Sequence, residues 1–453
     1  GILFLFVFPF FHHRGWPMSH KNTVMSIPLP QLISTKAWEI FLDHDERWEV
    51  YRVKAKERPH LLLQLSTSVE GEKACDDDED CPVPLTDGCD IPGWRRECVM
   101  DISPDVQSAL NLGASSFYFR RNRQWPLVKS SSICWDQMMS TLSRPPLVLP
   151  PTILCEEFAE QIEWEGGKRT TKFAWEWERR NRPVVIENCT NSWKAMPGSR
   201  TVHGKEQRGW TFDQLVKRFR DVSWRFSDNH GETMYLSTYS KYVRSVEGLT
   251  DDSPLAVYDA EFGDDEATAV LLDEYSVPPC FSQDLFELAL SKKRPPYKWI
   301  LIGPARSGTG LHIDPLWTNA WVTVLQGSKR WMLFPKETPP VEIGMQEPQI
   351  PSVIWFRDYY DKVTAKDWPI EWKPVEVLQQ AGETVFVPNG WPHLVLNLQL
   401  TVAVTHNYAS EFGPFKRMWK EVMTEEQEFG QAWLDGLKNS RRDLWDAVQS
   451  YSL

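Results

Sequence analysis

The sequence predicts a mainly β protein with flanking helices. Seven short apolar segments crowd the stretch from Lys298 to Thr405, broken by turn signals such as Gln326-Gly327-Ser328-Lys329 and Pro388-Asn389-Gly390. Many short strands without helices between them argue for a sandwich or barrel. Segments of helical period stand before and after that stretch. The 42% apolar and 25% charged residues are ordinary for a globular chain, and 23 Trp residues give it large side chains to bury.

In chain order, the apolar run Gly1 to Phe11 is too short to span a bilayer. It has neither an initiator Met nor a basic segment in front, so it is a poor signal peptide. Residues 1–29 read as a gene-model artefact or a disordered lead, with Met18 or Met25 as the start. Residues 30–142 carry no assignable motif. Lys36 to Val53, with Trp38, Phe41, Leu42 and Trp48, reads as helical, and a helical interaction module, of F-box type for example, is the expectation there. The run Asp76 to Asp80 reads as a solvated loop. Residues 143–151, with prolines at 145, 146, 150 and 151, read as a linker. Residues 152–414 form the main domain, and 415–453 a helical tail whose Phe415, Met418, Trp419, Val422, Phe429, Trp433 and Leu437 recur at helical spacing. Within the main domain, Glu156 to Trp164 and Phe212 to Phe219 read as amphipathic helices and Arg182 to Ile186 as a buried strand. Ser282 caps a helix presenting Leu285, Phe286, Ala289 and Leu290 on one face. The strands expected next are Lys298–Ile302, Leu311–Ile313, Trp321–Leu325, Arg330–Phe334, Thr384–Val387, His393–Leu398 and Thr401–Thr405.

Net charge is −12, from 62 acidic and 50 basic residues. Such a chain is a poor non-specific ligand for nucleic acid and a better one for basic peptides. RNA contact is compatible with local Lys/Arg clusters but is not indicated. The eight cysteines show no CxxC pair and lie far below disulfide-scaffold density, so a reducing compartment with mostly free thiols is expected. No segment is apolar enough to cross a membrane.

The informative stretch is Gly308-Thr309-Gly310-Leu311-His312-Ile313-Asp314-Pro315. On a strand, residues two apart share a face, so His312 and Asp314 converge with Ile313 turned away. A lone HxD is common by chance. His393, at the mouth of another strand, offers a third ligand. Two His and one carboxylate make the facial triad of non-haem Fe(II) oxygenases, leaving positions for a chelating cosubstrate and O2. Lys329, on the turn side of the following Trp-rich hairpin, would be costly inside a barrel unless it met an anion, which the distal carboxylate of 2-oxoglutarate would supply. Thr309 and Thr405 could add hydroxyl donors. In isolation each of these residues is better read as an ordinary core, strand or turn residue; their combination reverses that.

Arg306 to Pro315, Gln326 to Trp331, Gly382 to Pro388, Thr405 to Ser410 and Asp251 to Leu255 together resemble the JmjC oxygenases, within them the arginine demethylase and lysyl hydroxylase subfamily. The similarity runs from about Glu156 to about Trp419. The resemblance implies a double-stranded β-helix of cupin or jelly-roll type holding Fe(II) on His312, Asp314 and His393. It implies 2-oxoglutarate on Lys329, Thr309 and Thr405, with Asn407 beside it or behind it, O2 as cosubstrate and ascorbate as reductant. The reaction implied is decarboxylation to succinate and CO2 coupled to hydroxylation of a C–H bond. On an N-methyl carbon the product collapses to formaldehyde and the demethylated amine.

Three departures from the family pattern stand out: Ala256 for a Tyr, Val322 for an Asn and Trp317 for a Gly. The first two remove polar groups near the cosubstrate; Thr323 and Tyr258 are candidate replacements, although Thr323 should face away from Val322. Tyr258, Trp321 and Trp391 are candidate walls of a substrate pocket, with core packing favoured for Trp321. The acidic residues from Asp259 to Glu266 suit a Lys- or Arg-rich protein or peptide substrate, and a solvated loop is the plainer reading. Lys292-Lys293-Arg294 and Arg120 to Arg123 are basic patches and weak nuclear-import candidates; nucleus is the expected compartment, with cytoplasm the alternative. The expected function is hydroxylation of protein lysines, demethylation of N-methyl arginine or lysine, or both. The rivals are a non-catalytic JmjC binding module and an RNA or small-molecule hydroxylase. The helical tail could pair with a second copy to make a homodimer or fold back on the barrel.

Overall fold

The structure, a computed structural model, describes residues 135–164, 168–198, 209–226, 233–244, 254–281, 283–289, 294–346 and 349–451, and paired strand segments at 2–5, 25–28, 38–42, 48–53, 201–202 and 205–206. Asp76 to Asp80, Arg120 to Arg123, Asp251 to Ser253, Ser282, Leu290, Lys292 and Lys293 lie outside the described residues. The chain divides into two compact units, one of residues 1–134 with 238–251 and the other of 135–237 with 252–453.

In the first unit, Ile2–Leu5 pairs antiparallel with Met25–Pro28, and Trp38–Leu42 with Trp48–Val53. The second pair corrects the helix expected over Lys36 to Val53. Trp38, Ile40, Phe41, Trp48, Val50, Tyr51 and Val53 are aromatic or β-branched, types that favour strands.

The second unit is built on two sheets. Its strands are β1 (Thr152–Leu154), β2 (Val184–Glu187), β3 (Val257–Asp259), β4 (Lys298–Gly303), β5 (Gly308–His312), β6 (Asn319–Gln326), β7 (Ser328–Leu333), β8 (Val375–Gln380), β9 (Thr384–Val387), β10 (His393–Asn397) and β11 (Thr401–Tyr408). The larger sheet runs β3-β4-β11-β6-β9-β2-β1 and the smaller β5-β10-β7-β8. All pairings are antiparallel except β1 with β2. Alternation along the strands sends Val322, Val324, Ala403, Val385, Trp331, Val377 and Val395 into one shared apolar cluster, the interior between the two sheets. Gly327, at φ +81°, makes the turn from β6 to β7; a Cβ there would come within 2.5 Å of the Leu400 carbonyl oxygen.

The outer face of the larger sheet is covered by aromatic residues. Trp321 stacks on His406 at 4.5 Å and on Phe281 at 6.0 Å, so it is core, as favoured. Thr323 also points outward and shares a 2.7 Å hydrogen bond with Thr384, so it does not replace the polar group missing at Val322.

The helices are α1 (Trp135–Leu142), α2 (Phe212–Phe219), α3 (Ser352–Thr364), α4 (Phe415–Glu425), α5 (Gln427–Ser440) and α6 (Arg442–Gln449), with Leu236–Arg244 between α2 and α3. Helix α2 has the expected bounds, and its Thr211 cap accepts from the Gln214 N–H at 3.2 Å. The helix expected over Glu156 to Trp164 is corrected to a short turn, Cys155–Phe158, and a strand, Gln161–Trp164, that pairs with Lys168–Thr171. Leu285–Ala289 is a single 3-10 turn whose Leu285, Phe286 and Ala289 are buried as expected. The tail's apolar stripe, from Phe415 to Leu437, packs into the chain's own cluster with Leu285, Phe286, Leu316 and Ala409. In the 143–151 linker, Arg144 is tied down through its carbonyl to buried Arg330 at 2.7 Å. No helix among the described residues is long and apolar enough to cross a membrane.

Candidate metal and cosubstrate site

His312 and His393 are directly opposite each other on β5 and β10, so both imidazoles leave the sheet on one side, with ring centroids 4.2 Å apart. Asp314 lies two residues beyond His312, at the extended residue (φ −60°, ψ 139°) that opens the 3-10 turn Pro315–Trp317. The shared face expected of a strand therefore persists just past the strand's end. Asp314 Oδ1 is 3.7 Å from His312 Nε2 and 4.0 Å from His393 Nε2. Among the described residues this is the one group of His, Cys, Asp or Glu that brings three ligand atoms together, all within 4.8 Å of one another.

The protonation pattern suits a cation. His312 Nδ1 donates to the Gly310 carbonyl at 2.8 Å and His393 Nδ1 to the Trp391 carbonyl at 2.9 Å, which leaves each Nε2 lone pair free. Burial is the main reason that His393 is held down to about 4, with His312 adding to it, so it is neutral at pH 7. Asp314 Oδ2 is buried with no hydrogen-bond partner. A buried carboxylate oxygen is left so at a cost unless a cation meets it. Two imidazoles with free Nε2 atoms and one aspartate fit a divalent iron with open positions.

Lys329 is not a turn residue but lies within β7, 4% exposed. It sits between Asn397 of β10 and Gln379 of β8 in register, all three on the interior face. Its Nζ donates to Asn397 Oδ1 at 2.8 Å, and Asn397 Nδ2 donates on to Ser307 Oγ at 2.9 Å. No carboxylate among the described residues forms an ion pair with it, and burial alone lowers its pKa to about 7. This is a cation poised for an anion that the chain itself does not supply.

Thr309 and His312, three apart, would normally face opposite sides of a strand. A register shift between them, relative to Val395 and His393, turns both inward. Thr405 faces inward opposite Val322. Tyr258, opposite Leu301 on β4, also faces inward and lies 5.9 Å from Trp299 between ring centroids. Burial, then the Asp314 charge, raise its phenol pKa, so it stays protonated. Asn407 stands one shell back: its Nδ2 donates to Thr318 Oγ1 at 3.0 Å, just after the Asp314 turn. Trp391 is 9% exposed and in the interior cluster. Its indole donates to Asn181 Oδ1 at 2.9 Å and to the Asn181 carbonyl at 3.0 Å, and its own carbonyl orients His393. Those contacts make it a support for the ligand rather than an open wall.

Sequence reasoning missed Asn397 and Asn181. Asn397 was readable, because His393, Val395 and Asn397 follow the period of two that puts them on one face. Asn181, at φ +51°, reaches the site only through the fold. Of the acidic stretch, Asp259 is buried and accepts from the Arg225 and Glu261 N–H groups at 3.0 and 2.8 Å; Asp264, Asp265 and Glu266 are exposed. Arg294 is not an exposed patch but pairs with Asp284 at 2.6 Å. The described cysteines Cys155, Cys189 and Cys280 are free and buried.

The chain matches the family model of the JmjC domain, hydroxylase, over residues 299–408. It is 36% identical over 314 residues to the bifunctional arginine demethylase and lysyl-hydroxylase psr-1 of Caenorhabditis elegans, covering 67% of this chain and 73% of that one. It is 39% identical over 271 residues to the arginine-specific demethylase JMJ22 of Arabidopsis thaliana, covering 57% and 49%. It is 28% identical over 275 residues to the human 2-oxoglutarate and iron-dependent oxygenase JMJD4, covering 57% and 63%.

Proposed function

Because this chain belongs to the JmjC-domain oxygenases and is an iron- and 2-oxoglutarate-dependent enzyme, we propose that it oxidises basic side chains of proteins. Hydroxylation of lysine and demethylation of N-methyl arginine or lysine are the two outcomes. They share one oxidant and differ in which C–H bond is presented. The observation that carries the reading is the pairing of the His312-Asp314-His393 cluster with a buried, ion-pair-free lysine inside one barrel.

Each residue then has a task. His312, Asp314 and His393 would hold iron. Lys329, aided by Thr309 and Thr405, binds the distal carboxylate of 2-oxoglutarate. Iron, with O2 and the keto acid, supplies oxidative decarboxylation coupled to C–H hydroxylation. Val322, Val324, Trp331, Val395 and Ala403 keep the interior apolar, which strengthens the Lys329 contact by excluding water. Tyr258 presents a protonated hydroxyl near Asp314 as a donor to an incoming substrate. Exposed Asp264, Asp265 and Glu266 suit a Lys- or Arg-rich peptide. With basic proteins as substrates, the nucleus is the proposed place of work, and imaging of the tagged full-length chain tests it.

The function test is to incubate the chain with Fe(II), 2-oxoglutarate and ascorbate on arrays of Lys- and Arg-rich peptides, with and without N-methyl groups. Succinate release and peptide mass are both read. Gain of an oxygen or loss of a methyl group, abolished by His312→Ala, is expected. Iron-dependent oxidation confined to RNA or small molecules would refute the protein-substrate reading.

A further inference from the structure

Two consecutive residues after Asp314 are left-handed, Leu316 and Trp317, both at φ +55°. Bulky L residues rarely adopt that conformation, and it persists where the surroundings enforce it. Within the turn, the Thr318 N–H and hydroxyl both return to the Pro315 carbonyl, at 3.2 and 2.8 Å. The Leu316 N–H instead leaves the turn and donates to Glu421 Oε1 on α4 at 2.7 Å. Glu421 also faces the Trp317 indole. Arg417, one turn earlier on the same face of α4, lies 4.6 Å from the centroid of the Trp317 ring. That ring covers Gly390 so closely that a Cβ there would sit 2.7 Å from it. Gly390 immediately precedes Trp391, whose carbonyl orients His393.

The three metal ligands are not equally secured. Each histidine has its Nδ1 fixed by a carbonyl. Asp314 Oδ2 has no hydrogen-bond partner, so the carboxylate is aimed by the backbone that carries it. That backbone runs straight into the left-handed pair that α4 holds.

We propose that Glu421 is a positioning residue for the metal centre: by accepting the Leu316 N–H it holds the strained turn that aims Asp314, and it makes the C-terminal helix part of the site. Removing the acceptor lets the turn relax and Asp314 rotate. Loss of a group that supports a ligand typically weakens metal binding on the order of tenfold or more. The inference rests on the triad being the metal site, so His312→Ala is measured alongside.

The test is Co(II) titration of the full-length metal-free protein, with no substrate or turnover, beside its unfolding midpoint without metal. Glu421→Ala should weaken Co(II) binding about tenfold. Glu421→Gln, which keeps an acceptor oxygen, should stay near wild type. Glu421→Asp, which keeps the charge but falls short of Leu316, should behave like Glu421→Ala and decides the matter if Glu421→Ala does not fold. Wild-type affinity in Glu421→Asp, or equal losses in Glu421→Gln and Glu421→Asp, overturns the proposal. If His312→Ala binds Co(II) as tightly as wild type, the metal-site reading itself falls, and this proposal falls with it.

Discussion

Replacing Lys329 by methionine is expected to do two opposite things. In the cosubstrate-free protein Lys329 is buried, hydrogen-bonded to one neutral acceptor, and lowered by burial to about 7 from its usual 10.5. The unfolded chain therefore binds more protons than the folded one between pH 7 and 10.5. The strain of burying this charge is fully present below pH 7 and is relieved as pH rises. A shift of that size corresponds to about 5 kcal/mol at acidic pH. Methionine removes that strain but leaves Asn397 Oδ1 without its donor, at a cost of about 1–3 kcal/mol. The net expectation below pH 7 is a variant that melts higher than wild type. With 2-oxoglutarate the sign reverses. A charge-assisted contact to a carboxylate is worth about 1.5–3 kcal/mol, so the variant should bind 2-oxoglutarate roughly 10- to 150-fold more weakly, with Co(II) affinity nearly unchanged. Because only protonated Lys329 serves, wild-type affinity for the keto acid should fall as pH rises above about 7, and binding should take up protons. Anaerobic calorimetry on the Co(II)-loaded protein, in two buffers of different ionisation enthalpy, reads both. Equal affinity for 2-oxoglutarate in Lys329→Met would mean that the carboxylate anchor lies elsewhere.

Other residues give sharper contrasts. Glu178 is buried, accepts hydrogen bonds from Tyr408 and from Ser410 at 2.6 Å, and is raised by burial to about 7. Its folded pKa lies above the unfolded one, so its stabilisation is complete below about pH 4.5 and lost as pH rises through 7; in Glu178→Gln that part of the melting-temperature decline should vanish. Trp391→Phe removes the indole donor to Asn181 while keeping the carbonyl that orients His393. It should cost about 1–3 kcal/mol in urea unfolding yet change Co(II) affinity little, and a large affinity loss would make the indole itself part of the metal site. Asn397→Leu should weaken 2-oxoglutarate binding through Lys329, with no loss of metal, as titration of each ligand would show.

Much of the site could be read along the chain because it obeys the two-residue period of strands. His312 with Asp314, and His393 with Asn397, need only alternation to share a face. Thr309 joined them against that period, by a bulge that leaves no clear mark in the sequence. Taken alone, Lys329 reads as a turn residue because Gln326-Gly327-Ser328 is turn chemistry, and only its combination with the His and Asp residues places it against a buried anion; the strand in fact resumes at Ser328, with Asn397 and Gln379 facing the lysine. The hairpin segments Trp38–Leu42 and Gln161–Trp164 were read as helices because short apolar runs fit either period. Strand β8 and helix α3 escape notice, since Val375-Glu376-Val377-Leu378-Gln379-Gln380 does not alternate cleanly between apolar and polar residues and α3 is apolar on more than one side. The left-handed Leu316–Trp317 turn and its Glu421 partner join residues more than a hundred positions apart, and no local pattern announces them.

Everything proposed for this chain depends on a metal held by His312, Asp314 and His393 within reach of a keto acid on Lys329. Anaerobic crystals grown with Fe(II) and 2-oxoglutarate, with anomalous data at the iron edge, examine it most directly. One iron peak bonded to both Nε2 atoms and to Asp314, with the distal carboxylate of the keto acid on Lys329 Nζ, is expected. An iron peak elsewhere, or a keto acid whose carboxylate avoids Lys329, would contradict it.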